Sequence, residues 1–147
     1  MERVYTVGEI DTVARELLAA YGAPAEAHAV IWALQGDLGA GKTALAQAIA
    51  RELGVTEAVT SPTFILEKVY ELEGKPFKHL VHIDAYRFDE PDEAKVLGWG
   101  ELISARENLI VLEWPERMGE LLPGHTHYFE LAIVDETTRR IRYGKNF

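Results

Sequence analysis

The chain contains no cysteine in 147 residues. That excludes a disulfide scaffold, a thiolate zinc site, an iron–sulfur cluster and a Cys nucleophile. It fits a reducing compartment. Long apolar runs are also missing. The longest fully apolar stretch, Ala29 to Leu34, is too short to span a bilayer. The first residues, MERVYTVGEIDTVAREL, carry charges throughout and lack the apolar core of a signal peptide. These absences predict a soluble cytoplasmic protein with no membrane partner. Basic residues are scarce: 15 Lys and Arg stand against 24 Asp and Glu, a net charge of -9. This argues against a broad basic face that grips nucleic acid through its phosphates, because such binding depends on many Lys and Arg contacts. A small anion held in a local positive site remains compatible with this balance.

What is present is ordinary for a globular chain, with 48% hydrophobic and 27% charged residues. A length of this order predicts one domain, residues 1–147, burying about two thirds of its unfolded surface. No repeat, low-complexity stretch or linker interrupts it. Val4 to Val7 reads as a short strand. Ile10, Val13, Ala14, Leu17, Leu18 and Tyr21 recur at helical spacing over about Glu9 to Tyr21, and Gly22 and Pro24 end that helix. Ala29 to Leu34 is apolar on both sides, as a doubly buried parallel strand is. A second helix runs from Lys42 to about Leu53, with Leu45, Ala48, Ile49 and Leu53 on its apolar face. Phe64–Tyr70 and Phe77–Ile83 flank the turn Glu73–Pro76 and suggest a hairpin. Asp89 to Ile103 is acidic and helical in pattern, with interruptions at Gly98 and Gly100. Asn108–Leu112 is another buried strand. His127–Val134 and Arg139–Tyr143 form a second hairpin around Asp135–Thr138. The order predicts an α/β fold with a mixed, mainly parallel sheet flanked by helices and extended by β-hairpins.

The informative segment is Gly36-Asp37-Leu38-Gly39-Ala40-Gly41-Lys42-Thr43, which fits G-x-x-x-x-G-K-[ST] at every specified position. Each residue type has a physical task. The glycines let the backbone wrap close to an anion. Successive N–H groups then point into one concavity. The next helix starts here, so its positive dipole end faces the same point. Lys42 supplies a full charge for the β and γ phosphates, Thr43 a hydroxyl for Mg²⁺, and Ala44 a backbone N–H for the α phosphate. A chance match is expected in roughly one chain in a few hundred of this length. The motif also lies between a strand-like run and an amphipathic run, as the mechanism requires. A dinucleotide fingerprint, G-x-G-x-x-G, does not fit.

A P-loop site needs an acidic residue at the end of a neighbouring strand. Asp84 follows Val81-His82-Ile83, and Glu113 follows Leu109-Ile110-Val111-Leu112. Either can hold Mg²⁺ or orient the attacking water, and their spacing does not divide those roles. Thr60-Ser61-Pro62-Thr63 reads equally well as a γ-phosphate-sensing switch loop or as a rigid surface turn. His125 and His127 read as strand-edge residues rather than metal ligands, since no third ligand is placed to complete a site. Trp99 and Trp114 read as packing residues, with Trp114 beside Glu113 also able to pin that carboxylate. Arg87 is a phosphate clamp or a surface ion-pair partner. Asp89–Glu93 is a solvated helix start.

Together, the P-loop, Ser61-Pro62-Thr63, His82-Ile83-Asp84-Ala85-Tyr86-Arg87 and Glu113-Trp114-Pro115 resemble the bacterial TsaE (YjeE) ATPases in order and spacing. The resemblance covers nearly the whole chain, and H-x-D-x-Y-R with E-W-P is much more specific than the P-loop alone. It implies a small ATPase required for threonylcarbamoyladenosine formation in tRNA. Such a protein would not transfer the threonylcarbamoyl group itself. It would act on a complex of TsaB and TsaD, with direct tRNA contact left open. It implies that Thr43, Asp84 and Glu113 form the magnesium and hydrolysis centre, that Ser61-Pro62-Thr63 is the switch loop, and that adenine lies near Glu9 and Arg139. One departure is Ala44, where many members carry a second hydroxyl. No guanine-reading N-K-x-D motif is present, which favours ATP over GTP.

Two rival classes remain open at this level. A small-molecule kinase would need an acceptor pocket and an Arg-bearing lid; Arg139, Arg140 and Arg142 are the available cations. A nucleotide-gated binding module would use ATP to order a docking loop, with hydrolysis incidental.

Overall fold

A computed structural model describes residues 1–57 and 67–144 of the chain. Its strands are β1 (Glu2–Thr6), β2 (Val30–Gln35), β3 (Glu67–Glu71), β4 (His79–Asp84), β5 (Asn108–Glu113), β6 (His127–Ile133) and β7 (Thr138–Tyr143). Its α-helices are α1 (Ile10–Tyr21), α2 (Lys42–Glu52) and α3 (Trp99–Ser104). The strands form one sheet in the order β1-β7-β6-β2-β5-β4-β3. At its centre β6, β2, β5 and β4 run parallel. Antiparallel pairs extend both edges, β3 on β4 at one side and β7 and β1 beyond β6 at the other.

β2 and β5 are largely apolar along their length because both of their faces are covered. All six residues of β5 are buried, as are the first five of β2. Their side chains alternate between two cores. Val30, Trp32 and Leu34 of β2 join Leu17, Leu45, Ile49 and Phe129 beneath α1 and α2. Ile31 faces the other way, with Ile83, Phe88, Trp99, Leu112 and Met118. The chain from Pro91 to Leu121, built from short helical turns, covers that second core. Trp99 is buried there and its Nε1–H donates to Leu121 O at 3.0 Å. The ends of α1 and α2 are tied by Arg51–Asp11 and Arg15–Glu52 ion pairs, at 2.6 and 3.1 Å.

Several element boundaries differ from the sequence reading. The first strand begins at Glu2 and stops at Thr6, because Thr6 and Glu9 form a reciprocal capping box. Val7 thus opens a 3₁₀ turn instead of ending a strand. The second helix ends at Glu52, one residue short of Leu53. The acidic segment is a 3₁₀ helix over Pro91–Leu97, then α3. Gly98, at φ +72°, is the break between them; Gly100 lies inside α3 and interrupts nothing. The hairpin over residues 67–84 is present with a longer connection, and residues 64–66 of its first strand lie outside the described residues. Thr138 belongs to β7, pairing with Thr6 across the edge.

Candidate functional site

The loop after β2 is held down by one close approach. Gly36 has φ +149°, and a Cβ there would come within 2.5 Å of the Leu131 carbonyl oxygen on β6. Only a glycine lets the chain turn over the sheet edge at this distance. The loop then closes through Ala40 N–H to Asp37 O at 3.0 Å. Gly41, at φ +102°, caps α2, and Lys42 is the first helical residue. The amides of the loop and the amino end of α2 therefore converge on one cradle, a ready anion site.

Lys42 is 5% exposed. Its ammonium donates to Gly36 O at 2.5 Å and lies 3.4 Å from the centre of the Trp114 ring. Burial lowers its pKa, while Glu113, Glu116, Asp84 and Asp37 pull it back up. Trp114 has φ +60°, the sole positive φ outside glycine among the described residues. A bulky residue in this region carries strain of roughly 1–2 kcal/mol. Here the strain turns the indole under Lys42. The sequence reading allowed Trp114 to pin Glu113; the structure uses the ring on the lysine instead.

β5 lies between β2 and β4, and the register sets Leu34, Glu113 and Asp84 side by side at the carboxyl edge. Ligands bind at that edge in open α/β sheets. Thr43 Oγ1 donates to Glu113 Oε1 at 3.0 Å. The Glu113 Oε2 atom lies 2.6 Å from His82 Nε2. Asp84 Oδ1 accepts the Tyr86 N–H at 2.9 Å. The Tyr86 ring packs against Trp114, with centroids 4.9 Å apart. Leu38, Gly39, Gly41–Ala44, Asp84, Tyr86, Glu113 and Trp114 line a cleft of about 290 Å³. Lys42, Asp84 and Glu113 are each at most 5% exposed, unusual for charged residues and consistent with a built site.

The structure brings Thr43, Asp84, Glu113 and the loop together as the motifs require. Glu9 and Arg139 stand elsewhere. Glu9 Oε1 accepts Thr6 N–H and Oγ1–H at 2.8 and 3.0 Å, and these bonds lower its pKa. Arg139 Nη1 donates to Asp135 O at 2.7 Å. Neither lines the cleft. They share a corner of the molecule, since Arg139 pairs in register with Tyr5 near the start of that helical segment. Ser61-Pro62-Thr63 lies outside the described residues. His125 does gain a third imidazole, His28, stacked at 3.6 Å. Even so, no group of three or more His, Cys, Asp or Glu among the described residues is arranged to hold a metal. Two contributors escaped the sequence reading, Tyr86 as the wall beside Trp114 and His82 behind Glu113. The H-x-D-x-Y-R pattern contained both, and alternation along β4 was the available signal, since His82 and Asp84 must share a face.

Fold and cradle together define the class: a P-loop protein of the nucleoside-triphosphatase fold. A family model, "Threonylcarbamoyl adenosine biosynthesis protein TsaE", matches residues 6–141. The chain belongs to the TsaE family. It is 44% identical over 114 residues to the tRNA threonylcarbamoyladenosine biosynthesis protein TsaE of Streptomyces coelicolor, covering 75% of this chain and 74% of that one. The Bacillus subtilis TsaE is 37% identical over 128 residues, 87% of this chain and 75% of its own. The crystal structure of Bacillus subtilis YdiB superposes with a TM-score of 0.72 at 25% identity, covering 97% of this chain and 83% of that one. No helix among the described residues is long and apolar enough to cross a membrane.

Proposed function

We propose that the protein binds ATP in the Lys42–Trp114 cleft and hydrolyses it in support of tRNA threonylcarbamoyladenosine biosynthesis, acting on a TsaB–TsaD complex. One observation carries this reading: Lys42 and Thr43 at the start of α2 face two buried carboxylates, Glu113 and Asp84, across one cleft. The loop amides and Lys42 stabilise charge on the phosphoryl oxygens during in-line attack of water. Thr43, Glu113 and Asp84 offer only hard oxygen donors, which suit Mg²⁺ bound through few protein ligands. A bound Mg²⁺ would neutralise charge on the phosphates. Glu113, which already accepts from Thr43, would together with Asp84 hold that ion. The Asp84 and Glu113 carboxylates also orient the attacking water.

Lys42 gives one ammonium N–H to the Gly36 carbonyl and keeps two for phosphate oxygens. With a net charge of -9, the protein has little basic surface to spare for RNA, and tRNA contacts belong on its partners. The test is phosphate release with and without the TsaB–TsaD complex. We expect Glu113→Gln and Asp84→Asn to lower turnover by roughly 10²-fold or more. Wild-type turnover in either variant would refute the assigned roles. A phosphorylated metabolite among the products would favour a kinase instead.

A further inference from the structure

The proposed chemistry leaves His82 without a task. It stands inside β4, 1% exposed, between the buried Val81 and Ile83 and in register with Val111 of β5. It is two residues before Asp84 and shares its face, one pleat behind the pair formed by Asp84 and Glu113. Its Nε2 lies 2.6 Å from Glu113 Oε2. A carboxylate only accepts, so the ring presents Nε2–H to it. The other carboxylate oxygen, Oε1, takes the Thr43 hydroxyl at 3.0 Å. Both oxygens of Glu113 are thus fixed, one from α2 and one from β4.

The second ring nitrogen sharpens the point. His82 Nδ1 is buried and has no hydrogen-bond partner among the described residues. Buried polar atoms are nearly always paired; an apolar side chain here would avoid the orphaned Nδ1 but would take the donor away from Glu113 Oε2. An imidazole kept in the core with one nitrogen orphaned is retained for what its other nitrogen does. The structure assigns His82 as a positioning residue, whose Nε2–H holds the Glu113 carboxylate in the orientation that Thr43 shares. It acts through Glu113 and does not itself line the cleft. This assignment rests on the hydrolytic reading of the site.

Two measurements test it. The first needs no nucleotide. Long-range ¹H–¹⁵N spectra of the full chain should show the His82 ring carrying a proton at Nε2, with that Nε2–H signal displaced in Glu113→Ala. A proton on Nδ1 instead, or no response to Glu113→Ala, overturns the assignment. The second compares His82→Leu with His82→Gln, whose amide N–H can replace the donor, in phosphate release with the TsaB–TsaD complex. Loss of a partner that orients a site ligand commonly lowers activity 10–100-fold. We expect His82→Leu to lower kcat about 10–100-fold with ATP affinity within about threefold. We expect His82→Gln to recover to within a few-fold of wild type. Unchanged kcat in His82→Leu, or equal losses of kcat and affinity in both variants, overturns the positioning role. A wild-type protein that binds ATP but releases no phosphate refutes the hydrolytic reading alone, because the ring spectrum still reports whether His82 holds Glu113.

Discussion

Replacing Gly36 by Ala should destabilise the protein far more than its single added methyl suggests. Two effects combine. The backbone at φ +149° is one that side chains rarely adopt, which costs roughly 1–3 kcal/mol. The new Cβ would also stand 2.5 Å from Leu131 O and 3.2 Å from the Ala40 Cβ. Leu131 O is main chain within β6, so it cannot swing aside, and the overlap adds about 1–3 kcal/mol. The sum, roughly 2–6 kcal/mol, is a large part of a typical total of about 5–15 kcal/mol. At about 2–4 °C per kcal/mol, Tm falls by roughly 5–20 °C. Gly74→Ala is the control. Gly74 also has positive φ, +66°, but a Cβ there meets nothing within 4 Å, so only the backbone term, about 1 kcal/mol, applies. The assay is thermal unfolding of both variants without nucleotide. A Gly36→Ala Tm within about 2 °C of Gly74→Ala would refute the claim that contact with β6 seats the loop.

Two further outcomes follow from the electrostatics. Burial, then the neighbouring His28, lowers the His125 pKa below its ordinary 6.5, and burial, then His125, lowers that of His127. The unfolded chain takes up these protons first, so their contribution is complete above about pH 6.5 and is lost as pH falls through that value. We expect Tm to drop less between pH 7.5 and 5.5 in a His125→Asn, His127→Gln variant than in wild type; an identical drop would refute the sign. The Arg51–Asp11 and Arg15–Glu52 pairs are largely exposed, so Asp11→Asn and Glu52→Gln should each cost less than about 1 kcal/mol. Denaturant midpoints should converge with wild type in 1 M salt, and a gap that persists there would contradict screening.

Where a side chain's task follows from period or from local backbone chemistry, the sequence was enough. The doubly apolar Ala29–Leu34 run announced a central strand, and the glycine spacing from Gly36 to Gly41 announced the cradle. Asp84 and Glu113 were legible because each ends an apolar run. Tasks set by strand order were hidden. That β5 lies between β2 and β4, bringing Glu113 to Thr43, depends on nonlocal pairing that no local pattern encodes. The same holds for His82, whose partner is 31 residues away. Lys42 and Trp114 meet through one strained φ, invisible to a residue count. Gly98 and Gly100 looked alike as breakers, yet only Gly98 adopts the left-handed conformation that ends a turn.

The pairing of β1 with β7 also dictates an order of assembly. The amino group of Met1 bonds Tyr143 O at 2.7 Å, across 142 positions of sequence. Closing so long a loop is entropically expensive and is repaid only when both ends are present. On the ribosome β1 emerges long before β7 and finds no partner until β7 has been made. Meanwhile its exposed Val4 and its unpaired amides are an open edge. The charged residues Glu2 and Arg3, beside that valine, then protect the nascent chain from pairing with its neighbours.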